Sequence, residues 1–137
     1  MKISTDLFIF SYPPLRQFGR GSVAHEYGCV AVLRLLWTRD NRPDQWQRLN
    51  LLMDHDKERR EEVEYWTMFQ RNVVQFIRRG LGLQEIYSEQ EINWAIGILR
   101  TNAFQIEHPY MAAQGTSGKA VYPTFSFMSH NCYNNGR

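Results

Sequence analysis

The sequence predicts a mostly α-helical fold, with a short β or extended segment at its C-terminal end. Three observations lead there. Apolar residues recur at three- and four-residue spacing through residues 26–102, the period of helices that bury one face. Start and stop signals for helices fall where that period breaks. Beyond Asn102 the period is lost, and Pro109, Gly115, Gly118 and Pro123 cut the chain into short pieces, the pattern of strands and turns. The chain therefore divides into an irregular segment over residues 1–25, a four-helix region over 26–102 and a C-terminal segment over 103–137.

The first segment holds a short apolar run from Leu7 to Tyr12, then Pro13-Pro14 and Gly19-Arg20-Gly21. Proline fixes φ and glycine frees it, so this stretch reads as loop or extended chain. A first helix is expected from Glu26, with Val30, Leu33, Leu36 and Trp37 at helical spacing and Arg39-Asp40-Asn41 closing it before Pro43. Pro43 suits the first turn of a second helix, where no N–H is needed. Trp46, Leu49 and Met53 mark one side of that helix, and Asp54-His55-Asp56 interrupts the apolar pattern.

The third helix has the clearest pattern. Val63, Trp66, Phe69, Val73, Phe76 and Ile77 form one stripe, while Arg59, Arg60, Glu61, Glu62, Glu64, Arg71 and Arg78 decorate the rest as a solvated face. Its end is expected at Gly80, since cations favour a last turn and glycine accepts the left-handed cap. Ser88-Glu89-Gln90-Glu91 reads as a capping box, the serine accepting from an orphan amide while Glu91 reaches back. It opens a fourth helix that turns Ile92, Ala95, Ile96 and Leu99 inward and runs to about Asn102. Ala120-Val121-Tyr122 reads as a strand.

Composition excludes several classes. With 14 acidic and 16 basic side chains among 137 residues, a surplus of two cations makes no footprint for nucleic acid. No stretch nears the roughly 18 apolar residues of a membrane span. Cys29 and Cys132 lie too far apart in a chain this poor in cysteine to make a disulfide scaffold, so an intracellular setting, cytoplasm or nucleus, is expected. His55 between two aspartates, and the His25–Cys29 pair, lack the further ligands that a zinc site requires. No carboxylate pair stands in an apolar setting, so acid and base roles find no candidates.

The remaining chemistry is in the C-terminal run Tyr122-Pro123-Thr124-Phe125-Ser126-Phe127-Met128-Ser129-His130-Asn131-Cys132-Tyr133-Asn134-Asn135. It resembles the signature of SET-domain lysine methyltransferases: Tyr-Pro, a short apolar stretch containing Ser, then Asn-His-Ser-Cys-x-Pro-Asn. Upstream, Asn102-Ala103-Phe104 resembles the Asn-Ser-Phe element of the branch that couples SET to a MYND zinc finger. Residues 26–101 are similar to the helical insert that precedes that element, and the His-Asn-Cys form is most like an insect subgroup.

By position, the resemblance implies that Asn102, Ser126, Met128, Ser129 and His130 line a pocket for S-adenosylmethionine, largely through backbone groups. Ser129 stands where the family has Asn, and a lost amide hydrogen bond in a buried site costs about 1–3 kcal/mol. Asn131 and Asn134 replace the family's Ser and Pro, and Asn135 matches its closing Asn. Cys132 matches the thiolate that joins three post-SET cysteines around a structural zinc.

The resemblance further implies an incomplete SET domain. The family's first cofactor loop is not recognisable before residue 26, and its catalytic Tyr and zinc cysteines belong after the motif. The expectation is a fragment of a methyltransferase that acts on a lysine of a histone or another protein, inactive alone and binding neither cofactor nor zinc alone. The alternative is a non-enzymatic helical interaction module, a pseudoenzyme remnant that binds a partner or self-associates through uncovered apolar surface.

Overall fold

The computed structural model describes residues 8–11, 23–106, 118–123 and 126. Most of them are helical. Helix α1 (Val23–Asn41) starts three residues before the expected Glu26 and ends where Arg39-Asp40-Asn41 predicts. It buries Cys29, Val32, Leu35 and Leu36, and leaves Trp37 51% exposed beside a fully buried Thr38. Thr38 tolerates burial because its hydroxyl donates to the Arg34 carbonyl at 3.1 Å. Helix α2 (Pro43–Leu49) opens on its proline and buries Leu49, whereas Met53 lies beyond its end and is exposed. Trp46 of α2 packs on Trp94, ring centroids 4.6 Å apart.

The predicted third helix is not continuous. Helix α3 (Asp56–Glu61) stops at Glu62, whose φ of −81° and ψ of 70° are the values of an inverse γ-turn. Helix α4 (Val63–Phe69) restarts there, then widens into two π-helical turns, π1 (Gln70–Val74) and π2 (Phe76–Gly80). The stripe splits as a result. Val73 and Ile77 reach the core with Val74, but Val63 is 68% and Phe76 39% exposed. The left-handed residue is Gly82, φ 68°, rather than Gly80, which belongs to π2.

Helix α5 (Glu89–Asn102) begins at the predicted capping box. Ser88 Oγ accepts from the Glu91 amide at 3.2 Å, and the Ser88 amide donates to Glu91 Oε2 at 2.8 Å. Arg39 of α1 forms an ion pair with the same carboxylate. Burial raises the Glu91 pKa, but hydrogen bonds from Ser88 and the charge of Arg39 outweigh it, leaving the group below its ordinary value. Ile92, Ala95, Ile96 and Ile98 are buried, and with Leu35, Leu36, Val74 and Ile77 they make the core between α1, π1, π2 and α5.

Strand β2 (Ala103–Ile106) follows α5 without a break, and β3 (Gly118–Val121) pairs antiparallel with it, Ala103 opposite Val121. A third strand, Phe8–Ser11, which we number β1, lies on the other edge of β3. The N-terminal segment, read as loop or extended chain, thus contributes a strand, and the antiparallel register supplies β3 with a neighbour on each side from within the described residues.

The lowered Glu91 pKa fixes a pH dependence. Its stabilisation is complete above the unfolded value of about 4.3 and is lost as pH falls through the lower folded value. Glu91→Gln keeps an acceptor in the capping box but loses the charge. Urea melts are expected to show the variant less stable at neutral pH, with the gap to the parent chain closing in acid; a gap that persists to about pH 2 would contradict this assignment.

Candidate functional site

Residues 102 and 126 are the two predicted pocket positions that the structure describes, and the chain brings them together. The route is local. Register places Ala103 opposite Val121, so the residues just outside the ladder, Asn102 and Tyr122, face each other as the chain leaves β3. A turn then closes with the Ser126 amide donating to the Tyr122 carbonyl at 2.8 Å. Ser126 Oγ donates to the Asn102 main-chain carbonyl at 3.2 Å. Tyr122 packs its ring edge-on to Phe104, centroids 6.1 Å apart. Met128, Ser129, His130 and Cys132 lie outside the described residues.

Asn102 is 8% exposed, and both N–H bonds of its side-chain amide are engaged. Nδ2 donates to the Met53 carbonyl at 2.9 Å and to the Ile98 carbonyl at 3.2 Å. The amide therefore fastens the loop before α3 to the end of α5. The Asn102 main-chain carbonyl keeps a second lone pair beside the one Ser126 uses. A contribution through backbone fits this arrangement; one through the N–H groups of the Asn102 amide does not.

The same loop holds a group that sequence reasoning placed on a solvated face. Arg59 is 6% exposed. Its Nε donates to the Asp54 carbonyl at 2.8 Å and its Nη2 to the Asn93 carbonyl of α5 at 2.9 Å. Asp56 lies 3.4 Å and Asp54 3.8 Å from Nη2. Burial pulls the Arg59 pKa down, Asp56 and Asp54 oppose it, and Arg100 and Arg60 add to the lowering; a guanidinium stays charged regardless. The sequence held a signal for the ion pairs alone, an arginine three residues after one aspartate and five after another, and none for the burial.

This accounts for Asp54-His55-Asp56 without a metal. Both aspartates face arginines, and His55 takes a left-handed conformation, φ 50°, that reverses the chain into α3. Arg60 pairs with Asp56 at 2.7 Å and lies over the Trp66 ring at 4.4 Å. Beside them a cleft of about 420 Å³ opens between Trp66 and Trp94, rimmed by Asp54, Asp56 and Glu89. Glu89 is itself paired with Arg78 at 3.2 Å, so the cleft carries nearly balanced charge. Cys29, whose pairing with His25 was set aside as a zinc site, is buried and donates its thiol toward the Asn72 carbonyl at 3.7 Å. Among the described residues no group of three potential metal ligands converges.

Compared with protein-family models, with curated proteins and with solved structures, the chain matches none.

Gly97 is where α5 meets this loop. A Cβ there would stand 2.4 Å from the Asp54 carbonyl oxygen and 2.8 Å from Arg59 Nη2. Gly97→Ala is expected to destabilise by about 1–3 kcal/mol, although alanine is the better helix former. Arg59→Lys, which cannot serve two carbonyls in a planar fork, is expected to lose about 1.5–3 kcal/mol. Chemical denaturation of both variants measures the effect, and a change below about 0.5 kcal/mol in either would show that the contact does not hold the loop.

Proposed function

We propose that the chain is part of an S-adenosylmethionine-dependent protein-lysine N-methyltransferase of the SET type. The observation that carries the reading is the hydrogen bond from Ser126 to the Asn102 carbonyl, which joins the two separate sequence elements on which the resemblance rests. In this reading Asn102 contributes its carbonyl and Ser126 fixes the turn, with Met128, Ser129 and His130 completing the pocket wall. The cofactor supplies an electrophilic methyl group, and an uncharged lysine amine of the substrate protein accepts it. The family's catalytic Tyr and first cofactor loop are not recognised in this sequence, so the chain alone transfers no methyl group. Cys132 joins a zinc site only when the post-SET cysteines are present.

A second reading rests on surface. Leu51, Met53, Val63 and Tyr65 are each more than half exposed, which suits a helical interaction module that self-associates. Sedimentation velocity separates the two: a concentration-dependent dimer supports the module.

The enzymatic reading is tested at the transcript and at the bench. The frame is expected to continue past Arg137 into a strand ending in Tyr and a Cys-x-Cys-x-x-Cys cluster, and that longer chain is expected to transfer tritiated methyl from S-adenosylmethionine to a lysine-bearing protein. The 137-residue chain alone is expected to show no saturable binding of the cofactor by calorimetry. A stop codon directly after Arg137, with no transfer by the protein, overturns the reading in favour of the module.

A further inference from the structure

The cleft between Trp66 and Trp94 takes no part in the corner formed by Asn102 and Ser126, and its lining has a chemical bias. It encloses about 420 Å³, a volume in the range of small-ligand sites. Its walls include two half-buried indoles, and Trp94 is backed by Trp46 at a centroid distance of 4.6 Å. Asp54, Asp56 and Glu89 bring carboxylates to it, Gln90 and Asn93 bring amides, and Arg60 is the one cation of the lining among the described residues.

Charge nearly balances in this cleft, but hydrogen-bonding capacity does not. Asp56 accepts on both oxygens, from Arg59 and from Arg60. Asp54 Oδ1 accepts from the Asp56 amide at 3.4 Å, whereas its Oδ2 lies 3.8 Å from Arg59, too far for a hydrogen bond. Glu89 accepts from Arg78 through Oε2 alone. Among the described residues, Asp54 Oδ2 and Glu89 Oε1 therefore have no donor. What the cleft has left to offer is acceptors and indole faces, and the face of an aromatic ring is the negative part of its quadrupole. Both select a cation that carries several N–H groups.

The chain itself shows how such a group is held. Arg60 pairs with Asp56 at 2.7 Å while its guanidinium lies 4.4 Å from the Trp66 centroid, and 57% of its side chain remains exposed. We propose that the Trp66–Trp94 cleft recognises the guanidinium of an arginine from outside this chain, with Asp54 and Glu89 as acceptors and the indoles flanking its plane, and that Arg60 competes with it for Trp66. A guanidinium suits the cleft better than an ammonium, because its plane stacks on an indole while its edge donates to a carboxylate. The same acceptors repel phosphate and carboxylate ligands. Free arginine and an arginine within a polypeptide carry the same group, and this recognition does not depend on methyl transfer.

Titrations of the 137-residue chain, followed by NMR at the indole N–H groups, test this. Nα-acetyl-arginine amide is expected to shift the Trp66 and Trp94 signals saturably and to leave that of Trp37, exposed on α1, unmoved. The citrulline analogue, similar in shape but uncharged, is expected to shift none of them. Asp54→Asn is expected to weaken binding about tenfold, and Arg60→Ala, at an exposed position, to strengthen it several-fold. Free L-arginine binding more tightly than the capped form identifies a metabolite as the ligand; a capped form that binds as tightly or more so identifies a residue of a polypeptide. No saturable shift in either the parent chain or Arg60→Ala, or equal shifts from the arginine and citrulline compounds, overturns the proposal.

Discussion

Arg59 places its guanidinium out of water between the loop at residues 53–56 and the backbone of α5, donating to one carbonyl on each side. An isolated buried charge would cost several kcal/mol. Here the cost is offset because the arginine answers a need the fold creates. The chain reverses at His55 and approaches α5 so closely that Gly97 must lack a side chain, and carbonyls in that contact are shut off from solvent. A planar group with donors on several nitrogens satisfies two of them from one position. Asp54 and Asp56 then hold the charge, which accounts for the two aspartates that flank this turn.

The consequences run along α5. Its first turn is tied by Arg39 to Glu91 and by Arg78 to Glu89. Its middle is gripped by Arg59 at the Asn93 carbonyl, and its last residue by the Asn102 amide on the Met53 carbonyl. Three separated attachments on a 14-residue helix leave it little freedom to rotate or slide. Since β2 follows α5 directly and β3 takes its register from β2, the position of Ser126 is inherited from the helical region.

How much of this was legible in the sequence depended on whether the deciding forces were local. The capping box at Ser88, the proline opening α2 and the inward face of α5 were readable because each is set within one or two turns of chain. The burial of Arg59 was not, since its partners at Asn93 and Gly97 are more than thirty residues away and periodicity assigned it to the polar face. The break at Glu62 and the widening after Gln70 were equally hidden. The stripe from Val63 to Ile77 obeys a helical period, and only packing against α1 and α5 selects the phase that buries Val74. Strand β3 was visible as a short β-rich run, but not its neighbours, because pairing is a contact between distant segments. At the candidate site the motif singled out Asn102 and Ser126, which the fold brings into contact, while leaving the division of labour within Asn102 unread.

That division bears on what the site can do. A side-chain amide that bonds two main-chain carbonyls is fixed in orientation, and it fixes the carbonyl of the same residue with it. The Ser126 hydroxyl fills one lone pair of that oxygen and so sets the direction of the other. A preorganised acceptor of this kind binds a donor without first ordering itself, which lowers the entropic cost of binding. The structural and the proposed binding roles of Asn102 thus do not compete: the amide builds the corner, and the carbonyl is what the corner presents. Replacing the amide would not remove a ligand contact directly, but it would free the carbonyl to turn, and the loss would appear at the loop of Met53 and at the turn of Ser126 together.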